Sequence, residues 1–398
     1  MLGALSTITP FSIDMYLPSF PNIANDLHTT IKNVSLSVST YFLGFALGQI
    51  LYGPLLDRFG RKTPLYIGMM LYIVATIGCI VSNSIQVLLV IRFMQALSGC
   101  VASVAAMALV RDFYPPEKSA SVISLLILVI GASPLFAPTV GSFIINHFNN
   151  WHYIFITLAV IVALLLVIVF FFLPNGAKPD TTLSLKPKPI ITVFKQILLT
   201  PQFYIFSLAG SFSFSALFVY VAGSPSVFMD SFHLNAKQYG GVFALLSIGF
   251  IGGSQLNHIL TKKFTNQQIL KTMMTIQVVT SILFAAAVLN SLIGLSFHLV
   301  FLFVMLICSG LTYPNAAAIA LAPFDKNAGS AAALLGFLQI GIGGCISSAV
   351  GLIHSSGSLA MSLTMAATSI VAFTILKVGE KKINNLQLNN NSRPVEHF

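Results

Sequence analysis

Two charged side chains, Asp14 and Arg92, lie inside long apolar segments of the sequence and are the residues best suited to chemistry there. A charge at the centre of a bilayer costs about 2.5–3.5 kcal/mol on insertion scales, so such a residue usually faces a partner or a water-filled cavity. A buried carboxyl can take up and release a proton, and a neighbouring cation changes how readily it does so. The two residues therefore predict proton transfer within a membrane.

Each of the two residues also has a structural interpretation. Asp14 could lie at the outer water boundary, shortly before Pro18, with its carboxylate reaching water. Arg92 could be an anchor between helices. Counted inward from the ends of their segments, both residues lie at comparable depth, which a functional pair requires.

No pattern typical of an enzyme active site occurs in the sequence. There is no H-E-x-x-H pair, no Walker loop and no acid cluster beside a nucleophile. The four cysteines lie within apolar segments without metal-ligand spacing. We therefore predict no enzyme, no metal and no cofactor, and any pumping must use an ion gradient or a partner protein.

The composition predicts an all-α integral membrane protein. Of its 398 residues, 56% are hydrophobic and only 8% are charged, whereas soluble proteins carry about 25% charged residues. A membrane helix needs about 20 apolar residues. Twelve segments qualify: 2–20, 34–56, 64–82, 85–110, 119–145, 153–173, 202–222, 238–260, 270–289, 295–319, 328–353 and 357–378.

The positions of the cations predict the orientation of these segments. Of the 20 Lys and Arg residues, 17 fall in loops after even-numbered segments or in the tail, and only Lys32 and Lys237 fall in the other loops. Cytoplasmic loops carry such an excess. Both termini are therefore predicted to be cytoplasmic in a bacterial inner membrane. The net charge of +10 then reflects topology, and no nucleic-acid partner is expected.

The segments divide into two halves. We predict six-helix bundles at 1–173 and 202–378, a cytoplasmic linker at 174–201 that is extended in part by its prolines, and a disordered cytoplasmic tail at 379–398. Residues 253–263 weakly repeat the pattern of residues 53–62 at the equivalent place in the second half. The repeat predicts duplication of a six-helix unit and two pseudo-symmetric bundles.

The loop at residues 53–62 has the sequence GPLLDRFGRK, which matches G-x-x-x-D-R-x-G-R-K. It looks like the signature loop between the second and third helices of the major facilitator superfamily. We expect Gly53 to allow close approach of a neighbouring helix and Gly60 to adopt an unusual backbone conformation. The residues expected to act in gating here are Gly53, Asp57, Arg58, Gly60, Arg61 and Lys62.

Prolines mark two further helices where conformational change is expected. The fifth segment contains Pro134, Pro138 and Gly141, and the tenth contains Pro314 beside Asn315. Proline removes a backbone donor and kinks a helix. We predict that Pro134, Pro138 and Gly141 also take part in gating.

Several short patterns resemble the bicyclomycin/chloramphenicol-resistance (Bcr/CflA) drug exporters. These are Asp14–Pro18, Arg92 with Gln95, Val110–Asp112, Tyr313–Ala316, and Ala328–Ala331 with Gly336–Gln339. Residues 137–141 (APTVG) are similar to the G-P-x-x-G motif of antiporters in the superfamily. Ala96, Ala137 and Ser142 stand where the family usually has glycine, and all three keep the side chain small.

The resemblance implies a twelve-helix major facilitator fold and proton-driven efflux of small amphipathic drugs by alternating access. Asp14 is then the proton carrier and Arg92 its modulating partner. The cavity would be lined by the first, fourth, seventh and tenth helices, and the expected substrate-cavity residues are Tyr41, Gln95, Phe214, Asn315 and Gln339. Expected partners are the proton gradient, a small-molecule drug and the lipid bilayer, with the protein as a monomer. A metabolite exporter or symporter on the same fold is the alternative, and a receptor is a more distant one.

Overall fold

The computed structural model describes residues 1–174, 176, 179, 187–290, 294–324, 328–353 and 357–391, and this part of the chain contains helices but no strands. The α-helices are α1 (Leu2–Asp14), α2 (Phe20–Asp26), α3 (Ile31–Phe59), α4 (Lys62–Ile80), α5 (Ile85–Phe113), α6 (Pro116–Phe148), α7 (His152–Phe172), α8 (Pro187–Leu199), α9 (Pro201–Pro225), α10 (Ala236–Leu260), α11 (Asn266–Leu289), α12 (Leu295–Leu321), α13 (Ala328–Leu352) and α14 (Gly357–Asn391).

Eleven of the helices in the described ranges are long and apolar enough to cross a membrane. They coincide with the second to the twelfth predicted segment. The first predicted segment is formed by α1, a 3₁₀ turn at Leu17–Ser19 and α2 in succession. The expected all-α fold with twelve spans is therefore confirmed.

The interruption of the first span at Asp14 was not anticipated from the sequence. Asp14 is the last residue of α1, and Pro18 lies in the 3₁₀ turn that follows. Proline cannot donate the hydrogen bond that would continue an α-helix. By contrast, α6 runs without interruption through both of its internal prolines, and α12 runs through Pro314.

Both halves contain a buried polar cluster in equivalent helices. In the first half, Gln95 Nε2 on α5 donates to Thr76 Oγ1 on α4 at 2.7 Å. In the second half, Ser213 Oγ on α9 lies 2.5 Å from Gln277 Oε1 on α11 and 3.0 Å from Thr312 Oγ1 on α12. These helices are the third and fourth spans of one half and the first, third and fourth of the other. The correspondence favours duplication of a six-helix unit.

The packing of α3 of the first half against α13 of the second half varies along the bundle. We call the end that carries Arg58, Arg61 and Lys62 the cationic end. Far from it, α3 and α13 are joined by Ser39 and Ser347, whose hydroxyl oxygens are 2.8 Å apart.

The contact between α3 and α13 loosens toward the cationic end. Halfway along, a methyl group placed on Gly336 would lie 3.5 Å from Gln49 Oε1. At the cationic end itself, methyl groups on Gly53 and Gly329 would meet nothing within 4 Å. The close approach of a helix that was expected at Gly53 is not found in this conformation.

Two predicted boundary segments contain more helix than expected. Residues 187–199 of the predicted linker form α8, whose Val193, Phe194 and Ile197 pack with Phe203 of α9. Apolar residues at this spacing share one face of a helix, and burial of that face outweighs the expectation of an extended segment. In the predicted disordered tail, α14 continues to Asn391. Residues 392–398 lie outside the described part, as do 175, 177–178 and 180–186 of the linker.

The asymmetric packing predicts different rates of disulfide formation at the two ends. In a variant lacking the native cysteines, Ser39→Cys with Ser347→Cys should form a disulfide readily, since the replaced oxygens already touch. Gly53→Cys with Gly329→Cys should react much more slowly. Non-reducing electrophoresis after cleavage between the halves measures both rates, and faster reaction of the glycine-derived pair would contradict the observed conformation.

Candidate functional site

Arg92 is held between the first, second, fourth and sixth spans and is fully buried. Its Nη1 donates to Gln95 Oε1 at 2.6 Å, and its Nη2 donates to the backbone carbonyl of Ser12 at 2.9 Å. The bond to Ser12 joins α5 to α1. Because hydrogen bonds from a charged group are roughly twice as strong as neutral ones, these contacts fix α1 against α5.

Aromatic rings surround the Arg92 guanidinium. Its central carbon lies 4.4 Å from the ring centre of Tyr41, 4.7 Å from that of Tyr16 and 5.7 Å from that of Phe155. The electron-rich faces of such rings attract a cation, most strongly where water is excluded. The charge of Arg92 is therefore stabilised by rings, an amide and a carbonyl.

Asp14 and Arg92 form no ion pair in the described part of the chain, and the role of Arg92 as the modulating partner of Asp14 stays a prediction. The ion pairs found in the described ranges are Arg61 with Asp57, Arg61 with Asp112, and Lys271 with Glu380. Asp14 follows Ser12 by two residues, which places the two side chains on nearly opposite faces of a helix with 3.6 residues per turn. Arg92 holds the face of α1 turned away from Asp14 and agrees with the anchor interpretation.

Asp14 lies where the two halves of the protein meet. Its side chain is buried and takes part in no hydrogen bond or ion pair among the described residues. Its charge is within electrostatic reach of the hydroxyls of Tyr220 on α9 and Tyr239 on α10. The first half thus presents an isolated carboxyl to two tyrosines of the second half.

Close packing seals the junction on the side of Asp14 away from the cationic end. Within the first half, Gly141 on α6 lies so near the backbone carbonyl of Met15 that a methyl group there would overlap the oxygen. Next to it, Ser142 Oγ donates to the carbonyl of Ala236 at 2.8 Å. A methyl group on Gly240 would lie 3.0 Å from the same hydroxyl. Small residues on α6 and α10 therefore allow this end to close.

The predicted substrate-cavity residues do not form one group. Tyr41 and Gln95 belong to the surroundings of Arg92. Asn315 is 1% exposed and donates to Asn257 Oδ1 at 2.6 Å and to the carbonyl of Leu311 at 2.7 Å, so it ties α12 to α10.

Phe214 and Gln339 come from α9 and α13 of the second half. The ring centre of Phe214 lies 4.8 Å from that of Tyr313 and 5.5 Å from that of Phe218. Gln339 is buried, and its side chain makes no hydrogen bond in the described part of the chain. The sequence analysis did not single out Tyr16, although it lies two residues from Asp14. It also did not single out Tyr220 and Tyr239, because nothing in their neighbouring sequence marks them as functional.

The loop between α3 and α4 is an arginine-centred junction. Arg61 Nε donates to Asp112 Oδ2 on α5 at 2.8 Å, and Arg61 Nη1 donates to Asp57 Oδ1 on α3 at 2.5 Å. Burial opposes the charge, but these hydrogen bonds to Asp112 and Asp57 hold the pKa of Arg61 above its ordinary value. Gly60 has φ 78°, a conformation that side chains resist, as expected.

In the present conformation, Asp57 stabilises this loop through its contact with Arg61 and does not contact the described start of α13. Its side chain is 52% exposed, and the start of α13 is open around Gly329. Asn327, which directly precedes α13, lies outside the described residues. Arg58 stacks near Phe59, with the guanidinium carbon 5.9 Å from the ring centre, and Lys62 is the first residue of α4.

The family described as the Major Facilitator Superfamily matches residues 2–348 of the chain. The protein belongs to the major facilitator superfamily. It is similar to the D-xylose–proton symporter, whose crystal structure superposes with a TM-score of 0.71 over 94% of this chain and 96% of that one. The two sequences are 12% identical, so that likeness shows the fold alone. The fold and family make this facilitator a multi-pass transporter and not an enzyme.

Two curated relatives carry names connected with drug resistance. The facilitator is 29% identical to the bicyclomycin resistance protein homolog of Haemophilus influenzae, over 93% of each chain. It is 30% identical to the multidrug resistance protein MdtL of Escherichia coli, over 85% of this chain and 84% of that one. These two relatives confirm the resemblance to bicyclomycin-resistance exporters that the sequence patterns predicted.

Removal of the Arg92 side chain should destabilise the facilitator. Arg92→Ala leaves the Ser12 carbonyl without this donor and leaves the Gln95 amide oxygen with only the long contact from Cys79 Sγ. An unsatisfied buried acceptor costs about 1–3 kcal/mol. We expect a clearly lower melting temperature in detergent, measured by intrinsic fluorescence. Lys195→Ala on α8 is the control, since that lysine is exposed. Equal melting temperatures for the two variants would show that Arg92 is no anchor.

Proposed function

We propose that this facilitator exports small amphipathic drugs in exchange for protons. The observation that carries the proposal is Asp14, a buried carboxyl without a partner in the described structure, at the junction between the two halves. It is also the only acid inside any predicted span. The drug-resistance names of the relatives support a drug as the substrate.

The orientation of the protein follows from its cations. With loops rich in Lys and Arg on the cytoplasmic side of a bacterial inner membrane, the cationic end faces the cytoplasm. In this orientation, the free space at Gly53 and Gly329 faces the cytoplasm, and the bonds of Ser39 with Ser347 and of Ser142 with Ala236 lie toward the outer side. We propose that in this state Asp14 exchanges its proton with the cytoplasm and that a drug enters between the halves from the same side.

Export requires a second conformation that is closed at the cationic end. There α3 and α13 approach each other at Gly53 and Gly329, where free space now exists. On the outer side, contacts between the halves, such as that of Ser142 with Ala236, must break. Pro134 and Pro138 lie in α6 directly before these contacts, and we propose that they allow α6 to bend as the junction opens.

Exchange follows if proton and drug compete at Asp14. A drug that favours the ionised carboxyl, by contact or by conformation, expels the proton, and linkage requires that protonation weaken drug binding by the same factor. Phe214, Tyr313 and Phe218 supply an aromatic surface for the apolar part of the drug. Gln339 supplies a polar group without a partner in the described part of the protein.

Asp14→Asn should abolish drug-coupled proton exchange. Purified protein in weakly buffered detergent is mixed with chloramphenicol or bicyclomycin, and a pH dye records proton release. The wild type and Asp230→Asn, which alters an exposed acid, should release protons. Asp14→Asn should release none and should also remove resistance in an efflux-deficient host. Equal release by Asp14→Asn would refute Asp14 as carrier. Absence of release and of resistance in the wild type would favour the metabolite transporter.

Asp57→Asn should favour the conformation open to the cytoplasm. In the closed form, Asp57 would approach the start of α13, where a helix N-terminus attracts an anion by about 0.3–1 kcal/mol. The amide loses this attraction and also weakens the contact with Arg61. Labelling of Gly53→Cys by a soluble maleimide should therefore become faster while transport slows. Unchanged labelling and transport would contradict this role.

A further inference from the structure

The apolar surface of α8 is wider than the part of it that the rest of the protein covers. Val193 and Ile197 pack into the cluster that α8 forms with α9. Beside this covered side, Ile191 and Leu199 are 60% and 67% exposed, and Leu198 is exposed as well. Three exposed apolar side chains on one short helix outside the spans need an environment other than water.

A cation borders this exposed apolar strip. Residues three or four apart are neighbours on a helix surface, so Lys195 is adjacent to Ile191, Leu198 and Leu199. Lys195 is itself exposed, and the chain contains no acidic residue between positions 181 and 229. A helix with an apolar face bordered by lysine is typical of helices that lie in the interface of a membrane.

The position of α8 in the fold places it at the edge of the bilayer. Only Thr200 separates the end of α8 from α9, which is long and apolar enough to span a membrane. Ile197 belongs to the same buried cluster as Ala331 and Leu334, near the start of α13. The start of α13 is at the cationic end, where Gly329 lies. In the orientation proposed above, α8 therefore lies at the cytoplasmic surface of the membrane.

A second exposed cation lies at the same corner of the second half. Lys382 Nζ on α14 is 5.5 Å from the ring centre of Tyr204 in the first turn of α9, and this ring packs on the cluster that covers α8. The nearby acid of α14, Glu380, accepts a hydrogen bond from Gln267 and pairs with Lys271. Lys382 forms no ion pair within the described ranges. Its charge is therefore available to an anion.

We propose that α8 lies in the cytoplasmic interface of the membrane and binds the headgroups of anionic phospholipids through Lys195 and Lys382. Ile191, Leu198 and Leu199 enter the boundary of the acyl chains, while the two ammonium groups contact the phosphates. The cytoplasmic leaflet carries the negative surface charge that such a helix complements. The proposal uses the orientation given above but does not depend on Asp14 as proton carrier.

The first experiment locates α8 relative to the bilayer. In a variant lacking the native cysteines, Ile191→Cys and, separately, Gln196→Cys receive a nitroxide label in nanodiscs of phosphatidylglycerol and phosphatidylcholine. Both residues are exposed, but five positions along a helix place them on different sides. We expect the label of Ile191→Cys to be reached by oxygen dissolved in lipid and that of Gln196→Cys by a water-soluble nickel complex.

Either of two results at Ile191→Cys overturns the proposal. Better access for the nickel complex would show that water covers this side of α8. Shielding from both reagents would show that another part of the chain or a protein partner covers it. Because Ile191 is exposed, the substitution leaves the packing of α8 on α9 intact, and circular dichroism checks that the labelled protein is folded.

The second experiment measures the preference for anionic headgroups. Native mass spectrometry of the purified protein in a neutral detergent follows binding of phosphatidylglycerol and, in parallel, of phosphatidylcholine. We expect Lys195→Gln to weaken binding of phosphatidylglycerol about fivefold, the contribution of one lysine near an anionic surface. The double variant Lys195→Gln with Lys382→Gln should weaken it further. Lys263→Gln, which removes an exposed cation from the loop after α10, should bind as the wild type does.

The control separates a site on α8 from general attraction between opposite charges. Equal losses in Lys195→Gln and Lys263→Gln would show that only the total charge matters and would refute the site. Inorganic phosphate should fail to displace the lipid, because it cannot use the apolar strip, and complete displacement would refute the contribution of that strip. None of these variants alters Asp14, so failure of the lipid site leaves drug-induced proton release as its own test of the proposed function.

Discussion

The structure depends on how the buried guanidinium of Arg92 is stabilised without an acidic side chain as its partner. Charges in a bilayer need partners, and Arg92 finds them in an amide, a carbonyl and three rings. An ion pair with Asp14 would have satisfied the same need but would have fixed the carboxylate permanently. Because Arg92 satisfies its charge on one face of α1, Asp14 on the other face stays available to the second half. The same packing therefore makes Arg92 an anchor for α1 and leaves the carboxyl of Asp14 without a partner in the described structure.

The long-range features of the fold could be predicted because they follow from composition. Twelve spans follow from apolar segment lengths, and the positive φ of Gly60 follows from the loop pattern. The partner of Arg92 could not be predicted in the same way. Depth along a helix can be counted from sequence, but which face a residue occupies is set by packing, and a shift of two residues turns a side chain to the other side.

Departures from the sequence-based expectations have local physical causes. The break after Asp14 arises where Pro18 removes a donor, yet the prolines of α6 are accommodated within a continuous helix, so proline alone does not decide the outcome. In the predicted linker, α8 forms because its apolar residues find a surface on α9. Tyr220 and Tyr239 are more than 200 residues from Asp14 in the chain, and only the folded arrangement brings them to it.

On the proposed function, Asp14 as the only acid of the predicted spans also determines how transport uses the membrane voltage. With Asp14 as the only carboxyl carrier, each cycle can import at most one proton by this route. For a neutral drug, that moves one net charge inward, and a charge crossing 100 mV releases about 2.3 kcal/mol. This corresponds to a drug concentration ratio of roughly fifty-fold. For a monovalent cationic drug the exchange is electrically silent, so the same residue leaves only the pH difference to drive export.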